Sequence, residues 1–165
     1  MKDVETLHAE VDAASRRLTV LHAERLACAR GCHDCCRDDL TVFEVEAALI
    51  RRHHGALLRE GRPHPEGGCA FLDDAGACRI YPHRPYVCRT QGLPLRWIDD
   101  EAEAEYRDIC PLNEAGPPIE ELEPEACWTL GPAEASLAGL QAADGHAGER
   151  VALRSLFAHD PDPRP

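Results

Sequence analysis

The hydrophobic residues near the start of the chain recur every three or four positions, which is the spacing of one helix face. This heptad-like stripe contains six apolar residues: Val4, Leu7, Val11, Ala14, Leu18 and Leu21. The pattern predicts a helix over residues 3–27 that buries one face. We favour packing of that face on the protein's own core over a dimer seam, because three heptads are few for a coiled coil.

A second helix is predicted to begin at Thr41. Thr41 and Glu44 have the spacing of a capping box, in which both side chains satisfy free N–H groups at a helix start. The apolar residues that follow keep a helical spacing towards Gly55. His53 and His54 then lie near the helix end, where we expect a structural role or simple exposure rather than metal binding.

The rest of the chain shows shorter signals. Apolar runs on both sides of an Asp-Asp-Ala-Gly turn predict a β-hairpin over residues 70–81. Helices are predicted over 132–143, with proline in the first turn, and over 149–158, and a disordered tail over 160–165. We therefore expect a mainly α fold with a small irregular Cys-rich metal-bound centre and a short β-hairpin, forming a single domain over residues 1–159.

The composition and charge of the chain exclude several classes of function. The chain has 165 residues, of which 44% are hydrophobic but only 5% aromatic, so the core is short of bulky side chains. A net charge of −12 disfavours nucleic acid as a partner. No apolar run reaches the roughly 18 residues of a membrane span, and we expect a cytoplasmic protein. The motifs of phosphate-binding loops, zincin proteases and serine hydrolases do not occur.

The negative charge is concentrated in one segment. Residues 99–125 contain eleven acidic residues and a single basic one, Arg107. A solvated acidic face is the interpretation we favour, and a docking surface for a basic protein partner is the alternative.

Nine cysteines are the main chemical clue. Disulfides are uncommon in a reducing compartment and an odd number leaves one thiol over, so the count favours metal binding. The densest group spans nine residues: Cys28, Cys32, Cys35 and Cys36. A continuous helix would place these thiols within a sector of roughly 100°. Alternatively, Gly31 opens a tight turn, which also brings sulfurs together as metal–sulfur bonds of about 2.3 Å require.

The other five cysteines lie at predicted turns, loops or element ends: Cys69, Cys78, Cys88, Cys110 and Cys127. Eight thiolates suit two four-coordinate zinc sites, or an iron–sulfur cluster of four cysteines with a second site beside it. Because Cys35 and Cys36 are adjacent, they indicate two metals, or one ligand beside a supporting thiol. Several arginines near cysteines are expected to lower thiol pKa values: Arg30, Arg37, Arg79, Arg84 and Arg89. For Arg30 an ordinary surface role is equally favoured.

Two stretches carry a family resemblance. The first is the Cys28–Cys36 group, and the second joins Cys69-Ala70-Phe71-Leu72 to Cys78-Arg79-Ile80-Tyr81-Pro82-His83-Arg84-Pro85-Tyr86-Val87-Cys88-Arg89. Over residues 28–90 the chain resembles the CxxCxxCC or YkgJ-type family of zinc- or iron-chelating domains. The resemblance implies that the metal-site residues are Cys32, Cys35, Cys36, Cys69, Cys78 and Cys88, and Cys28 is the next ligand in order of preference. Our choice for an eighth ligand is Cys110, whereas Cys127 is expected to be a buried core thiol.

Three functions are compatible with these residues. The first is a cytoplasmic metal-binding protein whose iron, as an iron–sulfur cluster, serves electron transfer, redox sensing or an associated enzyme. The second is a structural zinc module whose functional surface lies elsewhere. The third is a metal-dependent enzyme that uses an open coordination position with His33 or His83 as acid or base, although for His83 we favour a surface role. A similar domain occurs in flagellin lysine N-methylases, which is analogy alone.

Overall fold

A computed structural model describes residues 3–29 and 31–157 of the chain. These residues divide into two compact units, each built from two separate stretches of sequence. The first unit contains residues 3–29 and 86–136, and the second contains residues 31–85 and 137–157. The single domain expected over residues 1–159 stays a prediction, and the tail expected over 160–165 lies outside the described residues.

Helices and two small sheets make up the regular structure. In chain order the elements are α1 (Val4–Leu21), β1 (Thr41–Phe43), α2 (Glu44–Glu60), α3 (Tyr86–Thr90), β2 (Leu95–Asp99), β3 (Ala104–Asp108), β4 (Trp128–Thr129), α4 (Pro132–Ala143) and β5 (Arg150–Ala152). Short 3₁₀ helices lie at Tyr81–His83, Pro111–Asn113, Ile119–Glu121, Pro124–Ala126 and Arg154–Leu156. In the part of the chain that the structure describes, no helix is long and apolar enough to span a membrane.

The first unit packs α1 and α3 with a three-stranded sheet of order β3-β2-β4. The pairing of β2 with β3 is antiparallel and that of β2 with β4 is parallel. An ion pair of 2.6 Å between Arg89 of α3 and Asp12 of α1 links the two helices. The indole of Trp128 donates a hydrogen bond of 2.8 Å to the hydroxyl of Tyr86, so that α3 is also tied to β4.

The second unit holds the larger apolar core. Strands β1 and β5 pair antiparallel, with Val42 opposite Val151. The core residues come from α2, the two strands and the Cys-rich turns: Val42, Ala47, Ile50, Leu58, Cys69, Ala70, Phe71, Leu72, Ile80, Leu153, Leu156 and Phe157. Three of the cysteines proposed as ligands therefore lie in or against this core, since Cys69 belongs to it and Cys36 and Cys78 pack on it.

The first helix is shorter than predicted and its buried face is different. It ends at Leu21 because His22 leaves the helical conformation and its buried ring donates a hydrogen bond of 2.6 Å to the Ala126 carbonyl. Leu7, Val11 and Leu18 are buried as predicted, but Ser15 is buried in place of Ala14, and Leu21 is 56% exposed. A straight helix has 3.6 residues per turn, so its buried face drifts away from a strict heptad stripe.

The prediction of a capping box and a helix start at Thr41 is wrong. Thr41 begins strand β1, where β-branched and aromatic side chains favour extended backbone and β5 pairs with the chain. The helix starts at Glu44, and the Glu46 carboxylate accepts the Phe43 N–H at 3.4 Å. It continues beyond Gly55 to Glu60, with a kink at His54.

The C-terminal predictions had mixed outcomes. Helix α4 covers the predicted residues Pro132–Ala143. The helix predicted over 149–158 is wrong, since β5 and a 3₁₀ helix occupy its described part. Pairing with β1 satisfies the backbone of Arg150–Ala152 and overrides the local helical preference.

A short hairpin is present, but at a different place. Between residues 70 and 81 the two sides form one isolated bridge, Leu72 with Cys78, around the predicted turn. The regular hairpin is β2–β3, in which Trp97 lies opposite Tyr106. This hairpin was not predicted, because the prolines and acidic residues around it favour irregular structure, although its aromatic and apolar side chains favour strands.

Candidate metal centre

None of the nine cysteines, all of which lie in the described residues, forms a disulfide, and they are distributed over both units. The first unit contains Cys28, Cys88, Cys110 and Cys127. The second unit contains Cys32, Cys35, Cys36, Cys69 and Cys78.

Three thiols of the second unit, those of Cys32, Cys35 and Cys36, lie on a turn, which we call the Cys35 turn (residues 31–37). Gly31 has a φ of +89°, a left-handed conformation that suits glycine. The Cys36 N–H donates to the His33 carbonyl at 2.8 Å, which closes the turn. The tight turn at Gly31 is thus the correct alternative, and a continuous helix through Cys36 is wrong.

The Cys35 turn holds an acidic thiol. The Cys36 thiol donates a hydrogen bond to the Cys35 sulfur and lowers the pKa of Cys35 to about 6, against the opposing effect of burial. Arg37 lowers this pKa as well, by a smaller amount. At neutral pH Cys35 is therefore mainly a thiolate, which is the form that binds metal.

A second turn, which we call the Cys69 turn (residues 69–79), lies beside the first. The Cys69 N–H donates to the Cys36 carbonyl at 3.0 Å, so one backbone hydrogen bond joins the two turns. Burial raises the pKa of both the Cys69 and the Cys78 thiols, and each remains a neutral thiol at pH 7. The Cys69 turn therefore offers a metal two sulfur ligands that are still protonated at neutral pH.

The arginines predicted to lower thiol pKa values have different roles. Arg79 and Arg84 do lower the pKa of Cys78, but burial outweighs them, so the prediction is wrong for that thiol. The Arg79 guanidinium donates to the carbonyls of Ala70, at 2.7 Å, and Arg62, at 2.9 Å. It thus holds the backbone of the Cys69 turn.

Two further arginines of that group remain. Arg89 forms the ion pair with Asp12 described above, which is a structural role. Arg30 lies outside the described residues, so its proposed effect stays a prediction.

In the first unit, Cys28 has the most defined surroundings. The side-chain amide of Asn113 donates to the Cys28 sulfur at 3.3 Å. Gly92, with a φ of +91°, faces the same sulfur. The sequence analysis missed both residues, and the signal that could have found Asn113 is its position one short turn after Cys110.

Three other thiols belong to the first unit. Cys88 lies in α3, and Cys110 precedes the 3₁₀ helix that ends at Asn113. Cys127 is 6% exposed, as expected for a core thiol, and burial raises its pKa. It lines a cleft of about 540 Å³ together with Arg96 and Trp128.

Three histidines of the second unit form a cluster that sequence did not predict. The rings of His53 and His83 stack with centroids 4.0 Å apart, and His54 Nε2 lies 3.0 Å from His83 Nδ1. Burial, with a smaller effect of His53, lowers the pKa of His54. The cluster connects α2 to the 3₁₀ helix that follows Cys78. Because α2 continues to Glu60, His53 and His54 do not lie at the helix end where we expected them, and His83 is half-buried rather than at the surface.

The other histidine considered as an acid or base is also engaged locally. His33 Nδ1 lies 2.8 Å from the Gly31 carbonyl, so this nitrogen carries the hydrogen and donates to it. A Cβ at Gly76 would lie 2.7 Å from the same nitrogen, so the ring packs closely on that glycine. His33 therefore helps to shape the Cys35 turn.

Comparison with known proteins adds a family. A family model named CxxCxxCC and described as a "Putative zinc- or iron-chelating domain" matches residues 27–111, just over half of the chain. The chain belongs to the CxxCxxCC family. The match includes the eight cysteines from Cys28 to Cys110 and leaves Cys127 outside. No curated protein and no solved structure matches the chain significantly.

The donors present fit the metals of the CxxCxxCC family in their chemistry. Thiolates bind both zinc and iron, and Cys35 is already in that form at neutral pH. Within residues 3–29 and 31–157, no three His, Cys, Asp or Glu side chains are arranged so that they could hold a metal ion. The cysteines therefore suit these metals by their element and, for Cys35, by their protonation state. Which of them bind the metal is a proposal.

Proposed function

We propose that the protein chelates zinc or iron through cysteine thiolates. The observation that carries this proposal is the joining of the Cys35 turn to the Cys69 turn by the hydrogen bond from Cys69 to Cys36. It brings two ligand motifs of the family into one unit, and one of them holds a thiolate. We include as ligands the thiols matched by the family: Cys28, Cys32, Cys35, Cys36, Cys69, Cys78, Cys88 and Cys110.

The finer proposal is an iron–sulfur cluster that serves electron transfer or redox sensing, alone or beside an associated enzyme. Adjacent cysteines are difficult to accommodate on one tetrahedral ion, and Cys35 and Cys36 share a hydrogen bond. Such a cluster supplies one-electron chemistry when bound. The proposal places the protein in a reducing, cytoplasmic setting, because oxidising compartments convert thiols to disulfides.

The test of metal identity is elemental analysis with a visible spectrum on protein purified without air. Iron with acid-labile sulfide and a broad sulfur-to-iron band supports the cluster. Zinc without colour supports a structural zinc module. Protein that takes up neither metal, even after reconstitution, would contradict chelation itself.

The ligand assignment has its own test. Cys35→Ala and Cys88→Ala should each lower bound metal per chain and destabilise the fold, because metal binding and folding are coupled. Cys127→Ala is the matched control, since this buried thiol lies outside the family match. Full metal content in the first two variants would refute the assignment.

A second candidate is a zinc-stabilised interaction module, favoured by the surface of the β2–β3 hairpin. Ile98 and Tyr106 are 57% and 43% exposed, and Trp97 stacks on Tyr106 with centroids 5.5 Å apart. The acidic segment begins in this hairpin, and its turn exposes the carboxylates of Asp100, Glu101 and Glu103. Aromatic rings beside fixed negative charge suit a basic protein partner.

The interaction candidate is tested by binding of an arginine-rich peptide to the intact chain. Ile98→Ala should weaken the binding if the hairpin is the docking surface. Leu112→Ala, which removes another exposed apolar side chain, is the control. Equal binding by all three proteins would exclude the hairpin.

A further inference from the structure

Asn113 is the most completely enclosed polar residue of the first unit, with no solvent exposure. Its side-chain oxygen accepts the Ala27 N–H at 2.7 Å. Its side-chain nitrogen donates to the Gly92 carbonyl at 2.8 Å and to the Cys28 sulfur at 3.3 Å. The amide therefore satisfies two backbone groups and uses its remaining donor on a thiol.

Gly92 leaves the space that the Cys28 sulfur occupies. A Cβ built on Gly92 would lie 2.5 Å from that sulfur and 3.1 Å from the Asn113 amide nitrogen. A φ of +91° also disfavours other residues at this position. The sulfur is thus held between a glycine that makes room for it and an amide that donates to it.

The location of Asn113 depends on the segments of two other proposed ligands. Its backbone N–H donates to the Cys110 carbonyl at 2.8 Å, across the 3₁₀ helix Pro111–Asn113. Gly92, whose carbonyl accepts from Asn113, follows Cys88 by four residues in the sequence. One buried residue, through its side chain and its backbone N–H, therefore connects the segments that carry Cys28, Cys88 and Cys110.

We propose that Asn113 is a positioning residue of the metal centre, whose amide N–H donates to the metal-bound sulfur of Cys28. A ligating thiolate keeps lone pairs that accept such a hydrogen bond, and donors around a ligand sulfur orient it and tune the metal. Gly92 contributes the clearance that allows the contact. The inference rests on the proposed function, because it requires Cys28 to be a ligand.

The main test uses cobalt(II) as the metal probe on the full chain. Asn113→Asp keeps the shape and the acceptor for Ala27 but loses both donated hydrogen bonds. It should shift the thiolate-to-cobalt charge-transfer band and lower cobalt affinity by about 10- to 100-fold. An unchanged band and affinity would overturn the inference.

Gln141→Glu is the matched control. Gln141 is also a buried amide with two backbone partners, the Glu44 N–H at 2.9 Å and the Glu149 carbonyl at 3.1 Å, and its amide bonds involve no thiol. The same chemical change there should leave the position of the cobalt band unaltered, whatever it does to stability. An equal band shift in both variants would mean that Asn113 acts on the fold in general.

The dependence on Cys28 separates this inference from the proposed function. In a Cys28→Ala background, Asn113→Asp should no longer change cobalt affinity, because the sulfur that it contacts is absent. A persisting effect would overturn the inference while chelation stands. Absence of any thiolate–cobalt band in the unsubstituted chain would overturn the proposed function, and this inference with it.

A measurement without substitution covers the case in which Asn113→Asp does not fold. In the chain loaded with an NMR-active cadmium isotope, the side-chain amide proton of Asn113 should show scalar coupling to the metal through the Cys28 sulfur. Coupling supports the inference. A cadmium signal of thiolate type without coupling to this proton would refute it.

Discussion

The Cys35 turn and the Cys69 turn carry the same chemical group in opposite states. The pKa of Cys35 is lowered to about 6, whereas those of Cys69 and Cys78 are raised. Both turns have an arginine close in sequence, so nearby positive charge does not explain the difference. What differs is a thiol donor in the first turn and burial against the apolar core in the second.

This difference has a consequence for metal binding. A metal that binds Cys35 meets a thiolate at neutral pH, but one that binds Cys69 must displace a proton. As the pH falls from 9 to 7, the metal affinity of the Cys69 turn should therefore decrease more steeply than the metal affinity of the Cys35 turn.

Alkylation should show the largest effect. In reduced, chelator-treated protein at pH 7, Cys35 should react on the order of 100-fold faster than Cys69, because the thiolate is the nucleophile. Its rate should rise between pH 5 and 7 as the thiolate forms around a pKa of about 6. Mass spectrometry of the labelled peptides measures both rates. Equal rates for the two thiols would contradict the contrast.

The second prediction concerns Arg79, which holds the Cys69 turn. Arg79→Ala removes the hydrogen bonds to the carbonyls of Ala70 and Arg62. It should lower the free energy of unfolding by about 1–3 kcal/mol, since these bonds come from a charged donor. Arg37→Ala, at an exposed position, should change it by less than about 0.5 kcal/mol. Denaturant unfolding compares the two, and similar losses would refute the separate roles.

The third prediction separates the causes of the acidic thiol. Cys36→Ala removes the hydrogen bond that lowers the pKa of Cys35 most, so that pKa should rise by at least about one unit. The thiolate fraction of Cys35 at pH 6 should fall several-fold, and the alkylation rate with it. Arg37→Ala should have a smaller effect, and the reverse order would mean that charge dominates after all.

The fourth prediction, with the smallest expected effect, concerns the buried imidazole of His54 and the pH dependence of stability. Burial lowers the pKa of His54 in the folded state, so the unfolded chain binds more protons. The resulting stability is present above the unfolded pKa of about 6.5 and is lost as the pH falls through it. His54→Gln should therefore flatten the dependence of unfolding free energy on pH between 7 and 5. An unchanged slope in His54→Gln, measured by denaturant unfolding at several pH values, would contradict this prediction.

Local signals predicted the elements whose ends are fixed by nearby residues. Pro132 starts α4 where the sequence places it, and Asp3 caps α1 by accepting the Thr6 N–H at 2.7 Å. The strands β1 and β5 were not predicted because each depends on a partner 109 residues away. Pairing at such a distance overrides helical preference and leaves no signal in a local window.

The residues of the candidate site also differ in how far the sequence predicts them. Spacing and resemblance indicated the cysteines, and the family match includes the eight that we assign. The protonation states could not be predicted, because burial outweighs the arginines that are neighbours of Cys78 only in sequence. Asn113 was missed because an isolated amide has no repeating pattern, and its role arises from the contact with Cys28.

The pairing of β1 with β5 also sets the order of events when the chain is made. Thr41 leaves the ribosome 109 residues before Arg150, an interval of roughly 5–20 s at bacterial and eukaryotic rates of synthesis. Cys32, Cys35 and Cys36 precede Thr41 in the sequence, and Cys69 and Cys78 emerge during that interval, so all five thiols of the second unit leave the ribosome before its β1–β5 sheet can close. For those seconds the nascent thiols are open to oxidants and to whatever metal is nearest.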